Sequence, residues 1–153
     1  MRRASFVIAI LVAGSCRGGA APAPRSDMPP PAVRFETTNG PWIVQVEIAR
    51  NDEQRTCGLM FRRELARDHG MVFLFDETSE HPFWMRNTLI PLDIIFLGED
   101  RRVVGVVANA APRTETQRTV FKPSRYVVEV SGGEAAAHGV GPGTRAVFVS
   151  IQE

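Results

Sequence analysis

Cysteine is scarce in this chain, with two residues in 153. At most one disulfide can form, so the fold must rest on an apolar core rather than on covalent staples. A charge excess of either sign is also missing. Lys and Arg number 18 against 17 Asp and Glu, for a formal net charge of +1. No global field directs the chain to nucleic acid or an anionic surface, and no basic block is interleaved with aromatics, so nucleic acid is not an expected partner. No apolar run approaches the ~20 residues of a stable membrane-spanning helix. There is no G-x-S-x-G elbow, no Walker loop and no dinucleotide fingerprint. Serine hydrolysis of that type is therefore unsupported, and no cofactor is implied.

What is present begins with an export segment over residues 1–16. Met1-Arg2-Arg3 supplies a positive end, and Ala4 to Ala13 is almost wholly apolar. Ala13-Gly14-Ser15 then precede Cys16. Small residues before a cysteine at the end of such a run resemble a bacterial lipobox, although Ala13 stands where leucine is usual. The same three residues suit ordinary signal cleavage. We expect an exported protein, periplasmic or anchored to the membrane by lipid on Cys16. Residues 17–31, RGGAAPAPRSDMPPP, form a Pro/Ala/Gly-rich tether without apolar periodicity. Residues 32–153 are expected to form one globular domain.

Within that domain, Val33–Thr37 and Trp42–Ile48 alternate apolar and polar residues about Asn39-Gly40, which predicts a hairpin. Asn51 and Gln54 have capping spacing and predict a helix from Asp52 to about Met60, with Gly58 inside it. Strands are expected at Met71–Phe75, Phe83–Arg86, Leu92–Leu97, Val103–Val107, Tyr126–Val130 and Arg145–Ile151. Asp76–Pro82 reads as a turn, and Ala108–Pro123 as a long irregular connection. Ser131 and Glu134 predict a capping box for a second short helix stopped at Gly139. The fold class is α+β: a mainly antiparallel, compact barrel-like sheet of about seven or eight short strands with two short helices.

The stretch from Arg55 to Phe96 concentrates three methionines, five phenylalanines and a tryptophan. Its Arg55, Gly58-Leu59-Met60, Arg62, Leu65, Gly70-Met71 and Phe73 lead into Phe83-Trp84-Met85, Asn87-Thr88, Pro91-Leu92-Asp93 and Phe96. With Pro112, Glu129, Gly133, Gly139 and Gly143, these residues resemble the domain of unknown function 192 family, small bacterial and archaeal domains often found behind export signals. The string W-M-x-N-T-x-x-P-L-D is the most specific part. The resemblance implies a compact β-rich domain and brings no activity. Thr144 departs from the family, which often has an acidic residue there.

Chemistry has three candidate carriers. Asp93 and Glu129 are carboxylates embedded in apolar strands, and together could act as acid and base in a hydrolytic or glycan-processing enzyme. The structural alternative pairs Asp93 with Arg55, Arg62 or Arg86. A recognition set of Arg62, Trp84, Arg86, Asn87, Thr88 and Asp93 could meet an anionic or sugar-like ligand, with Trp42 as a further stacking face. The alternative is a turn satisfying its own backbone, with Trp84 in the core. Met60, Met71 and Met85 near His81 could bind copper(I), against the commoner use of methionine as core filler and an exposed His81. Cys57 reads as a small buried hydrophobe. The reading that accommodates most of these observations is a non-catalytic, envelope-tethered binding or accessory domain. Its partner would be a small molecule or an envelope protein, and catalysis is the less favoured alternative.

Overall fold

The computed structural model describes residues 28–153. The expected export segment, Cys16 and most of the expected tether lie outside the described residues. The chain opens with β1 (Ala32–Thr37) and β2 (Gly40–Ala49), paired antiparallel so that Phe35 faces Trp42 and Val33 faces Val44. This is the expected hairpin, with Gly40 at φ +104 where the chain reverses. Helix α1 (Asp52–Cys57) is capped by Asn51, whose side chain accepts the Gln54 N–H at 2.9 Å. The Gln54 side chain reaches back to the N–H of Arg50, one residue earlier than a regular capping box requires. The helix is shorter than expected. Gly58 is its C-cap, at φ +48, and not an interior residue.

Because α1 and the loop after it carry the chain back, β3 (His69–Ser79) lies parallel to β2. The remaining strands are β4 (Leu92–Leu97), β5 (Val103–Ala110), β6 (Ser124–Ser131) and, after helix α2 (Glu134–Ala137), β7 (Arg145–Val149). They form a seven-stranded sheet in the order β5-β4-β6-β3-β2-β1-β7. Five of its six pairings are antiparallel and one is parallel, so the sheet is mixed. The strip curls until its edges meet at one end. Arg102 bridges Arg145, and Val103 exchanges backbone bonds with Thr144 and Gly143. The result is a half-barrel.

Two expectations fail locally. Phe83–Arg86 is not a strand. Phe83 alone makes a bridge, to Arg118, because Pro82 precedes it and Asn87 turns the chain at φ +55. The polar run after Phe75 is not a turn, since β3 continues through it to Ser79 with an irregularity between Leu74 and Ser79.

The half-barrel has a core on each face. Inside it pack Val33, Phe35, Val44, Val72, Ile95 and Val128, with Ala135 of α2 among them. Outside, under α1 and the loops, pack Leu59, Phe73, Met85, Ile94, Phe96 and Val127. Strands β3, β4 and β6 are covered on both faces, which is why LDIIFL reads as an unbroken apolar run rather than an alternation. Each fully buried phenylalanine contributes roughly 2–3 kcal/mol of transfer free energy. Trp42 belongs to the inner core. It is stacked between Phe35 and His138 and donates its indole N–H to Asp68 at 2.7 Å, so it offers no free ring face to a ligand. Among the described residues no helix is long and apolar enough to cross a membrane.

Candidate functional site

Strand parity decides where the two embedded carboxylates go. Glu129 lies opposite Ile94 on β4 and Met71 on β3, and so points to the outer face. Asp93 lies opposite Val130 and points to the inner face. The pleat sends them to opposite sides of one sheet. They cannot act on one substrate as acid and base.

Asp93 is completely buried and, among the described residues, pairs with no arginine. Its carboxylate accepts three backbone N–H groups, from Asn109 at 2.8 Å and from Gly133 and Ala135 at 2.9 Å each. The last two are open amides at the start of α2. The predicted Ser131–Glu134 capping box does not form, because Ser131 is still the last residue of β6, paired with Leu92. Asp93 caps α2 from a neighbouring strand instead.

Glu129 forms the floor of a cleft of about 330 Å³. Helix α1, its C-cap and the turn after it contribute Arg55, Cys57, Gly58 and Met60; β3 contributes Phe73 and Phe75; the following loop contributes His81, Phe83, Trp84 and Thr88. Glu129 is 4% exposed, and burial alone pushes its carboxyl up to about 8, so it is protonated at neutral pH. Gly58 leaves the approach to it open. A Cβ at Gly58 would sit 3.3 Å from Phe73 Cζ and 3.8 Å from Glu129 Oε2.

The walls are aromatic. Phe83 stands edge-on to Phe73 with ring centroids 5.1 Å apart, and to Phe75 at 6.4 Å. His81 is not a free surface residue: it stacks on Phe75 at 3.6 Å, and burial holds its imidazole below the ordinary value, hence neutral at pH 7. Arg55 has three of its five N–H donors engaged. It donates to the carbonyls of Arg50 and Leu74 and to the carboxylate of Asp52, and lies 5.4 Å from the Phe75 centroid.

Of the predicted recognition set, Trp84 and Thr88 line this cleft. Trp84 is 42% exposed, a rim residue and not core. Arg86 lies over the Trp84 ring and 3.7 Å from Glu115, while Asn87 donates to Met60 Sδ and accepts the Phe61 N–H. Both therefore brace lining residues. Phe61 sits at φ +64, a conformation rare for a bulky side chain, and that Asn87 bond helps hold it there. Thr88 also makes a long local bond to the Arg86 carbonyl, as the turn reading expects. Arg62 is elsewhere, in a two-pronged pair with Glu47 at 2.5 and 2.6 Å. Asp93 lies on the other face.

Met71 and Met85 are buried in the outer core, Met60 lines the cleft, and His81 is stacked on a ring. The four do not present a common set of open donors. Among the described residues no group of three or more His, Cys, Asp or Glu side chains converges as metal ligands would. A larger hollow of about 430 Å³ lies beside β5 and α2, lined by Val104, Val106, Val140 and Pro142. The single titratable group in that lining, Lys122, donates to the Val104 carbonyl, so the hollow offers little chemistry.

What the sequence reading missed was the set Phe73, Phe75, Phe83 and Cys57 as companions of Glu129. The alternation of Phe73 with Phe75 was a visible sign that both share one face of β3. No match to a curated protein is found. Among solved structures, a protein of unknown function from Novosphingobium aromaticivorans is 41% identical with a TM-score of 0.76, covering 86% of this chain and 95% of that one. A candidate transcription regulator from Sinorhizobium meliloti 1021 is 37% identical with a TM-score of 0.75, covering 81% and 97%. The family model for DUF192, an uncharacterized ACR family, matches residues 34–148, and the chain belongs to that family.

Proposed function

We propose that this protein is an exported, membrane-tethered binding domain whose ligand enters the cleft above Glu129. One observation carries the reading: an open cleft whose floor is a buried carboxyl and whose walls are Phe73, Phe83 and Trp84. Buried polar groups ordinarily have partners, and a carboxyl kept at the base of an open apolar cleft is a group whose partner arrives from outside. The export segment and proline-rich tether support placement at the envelope. A solvent-exposed tryptophan at the rim supports recognition by stacking. Regulation by DNA binding, which the name of the Sinorhizobium protein raises, draws no support from charge. Arg34, Arg62, Arg86 and Arg125 are each paired with a carboxylate, and the formal net charge is +1.

The binding test is differential scanning fluorimetry of the parent protein, Trp84→Ala and Glu129→Gln against sugars, peptides, amines and carboxylates. At least one class should raise the parent's melting temperature and not that of the variants. Identical behaviour of all three proteins toward every class would end this reading. Tethering is checked separately: Cys16→Ser should move the protein from the membrane fraction to the soluble one in an expressing bacterium.

A further inference from the structure

The geometry points to an organic ammonium ion as the ligand, seated with its cationic head against the Glu129 carboxyl and the rings of Phe73, Phe83 and Trp84. This rests on the reading of the cleft as a ligand site and adds the chemical class. The first argument is charge. Among the described residues Arg55 is the one permanent cation on the cleft lining, and two carbonyls and Asp52 already hold three of its five N–H donors. Asp52, also on the lining, pairs with Arg55, its side chain 97% exposed and that of Arg55 17% exposed. A carboxylate ligand would thus enter an apolar cleft with one hydrogen bond from the protonated Glu129 and no open ion-pair partner. A neutral ligand could use one hydrogen bond from Glu129. A cation gains an ion pair in a desolvated site and the negative faces of the rings as well.

The second argument is that these walls already attract cations. Arg55 lies 5.4 Å from the Phe75 centroid and Arg86 5.7 Å from that of Trp84. Among the described residues no guanidinium lies over the rings of Phe73 and Phe83, which line the cleft with Glu129. The third is access. Gly58, at φ +48, holds the chain where any side chain would intrude between Phe73 and Glu129. A cleft of about 330 Å³ admits a small ammonium ion with a short apolar body.

Binding has a proton balance. Glu129 is protonated when empty and becomes a carboxylate against the ammonium head, releasing its proton to solvent. The titratable or charged neighbours on the lining are Asp52, Arg55 and Cys57 from α1 and its end, and His81 beyond β3; β4 presents only apolar Ile94. Thiols ordinarily titrate near ~8.5, so Cys57→Ser serves as a control background.

The test is isothermal titration of the full chain in detergent with choline and n-butylammonium, at pH 6, 7 and 8, in two buffers of different ionisation enthalpy. The uncharged isostere 3,3-dimethylbutan-1-ol is run beside them. Expected are affinity rising about tenfold per pH unit from 6 to 7, release of about one proton, and at least tenfold weaker binding to the isostere. Glu129→Gln should lose the pH dependence and the proton release. Gly58→Ala, a second variant should the first not fold, should weaken the ammonium ions while leaving the pH dependence in place. Equal binding of isostere and ammonium ions, or binding without proton release, overturns the ammonium assignment. If sugars or carboxylates engage the cleft while both ammonium ions fail, the cleft stands as a site and the assignment falls. If no probe of any class engages it, both fall.

Discussion

Between pH 4.5 and 8 the folded chain holds a proton on Glu129 that the unfolded chain releases. The sign of the consequence is fixed by linkage. A carboxyl raised by burial contributes its full stability below its unfolded value and loses it as pH climbs through the folded one. The parent should therefore lose roughly 1.4 kcal/mol per pH unit across that window from this group. Glu129→Gln mimics the protonated acid and removes the dependence. At pH 8 the variant should be the more stable protein, by on the order of 4 kcal/mol. Urea denaturation of both proteins at pH 5, 6, 7 and 8 reads the difference. His81 pulls the other way below its ordinary value, because burial keeps it neutral, but both proteins share it and it cancels. Parallel pH profiles would mean that Glu129 is solvated after all. At this scale the sequence marked the residue well: a lone Glu in the run YVVEV had to be buried or functional. It left the companions unnamed, because Phe73, Phe83 and Gly58 reach Glu129 through pairing and loop geometry that no local pattern encodes.

The elements hold one another through Asp93. A single carboxylate ties β4 to β5 at Asn109 and to the first turn of α2 at Gly133 and Ala135. Charge-assisted bonds to three backbone amides, one buried and two part-buried, are strong, and removing the acceptor leaves those donors orphaned. Asp93→Asn should cost ~2–3 kcal/mol and Asp93→Ala ~3–5 kcal/mol in chemical denaturation. Ligand binding at Glu129 should be untouched at temperatures where the variants are folded, since the two sites occupy opposite faces. A loss of cleft binding without loss of stability would overturn the structural role of Asp93. Gly58→Ala makes a second element-scale prediction. The positive φ and the 3.3 Å approach to Phe73 should together cost ~1–2 kcal/mol, seen as a lowered urea midpoint with unchanged slope. LDIIFL was readable to its boundaries because Pro91 and Gly98 punctuate it. The partners of Asp93 were not, because backbone amides carry no side-chain signature. Nor was the parallel pairing of β2 with β3, since a strand's residues do not state the direction of its neighbour.

At the scale of the molecule, the half-barrel has a protected centre and two weaker edges. Strands β3, β4 and β6 are buried on both faces, whereas β5 and β7 are the ends of the strip and meet only where Arg102 bridges Arg145. The last residues reinforce that meeting. Glu153 accepts the Tyr126 hydroxyl at 2.6 Å and pairs with Arg101, Arg50 donates to the Gln152 carbonyl, and Ile151 packs on the inner core. Arg101 also lies 5.0 Å from the Phe148 ring centroid, so the tail, the turn before β5 and β7 form one cluster. Removing residues 151–153 should strip this cluster of its acidic partner and part of its apolar cover. The cost should be ~1–3 kcal/mol globally, since one part-buried and one exposed hydrogen bond, one half-exposed ion pair and a half-buried isoleucine are lost. Hydrogen exchange should locate the damage. The amides of Val103 and Ala146, which bond across the seam to Thr144 and Arg101, should exchange faster, while those of Ile95 and Val128 keep most of their protection. Uniform acceleration at all four amides would show that the barrel opens only by unfolding as a whole, and that the seam has no stability separate from the centre.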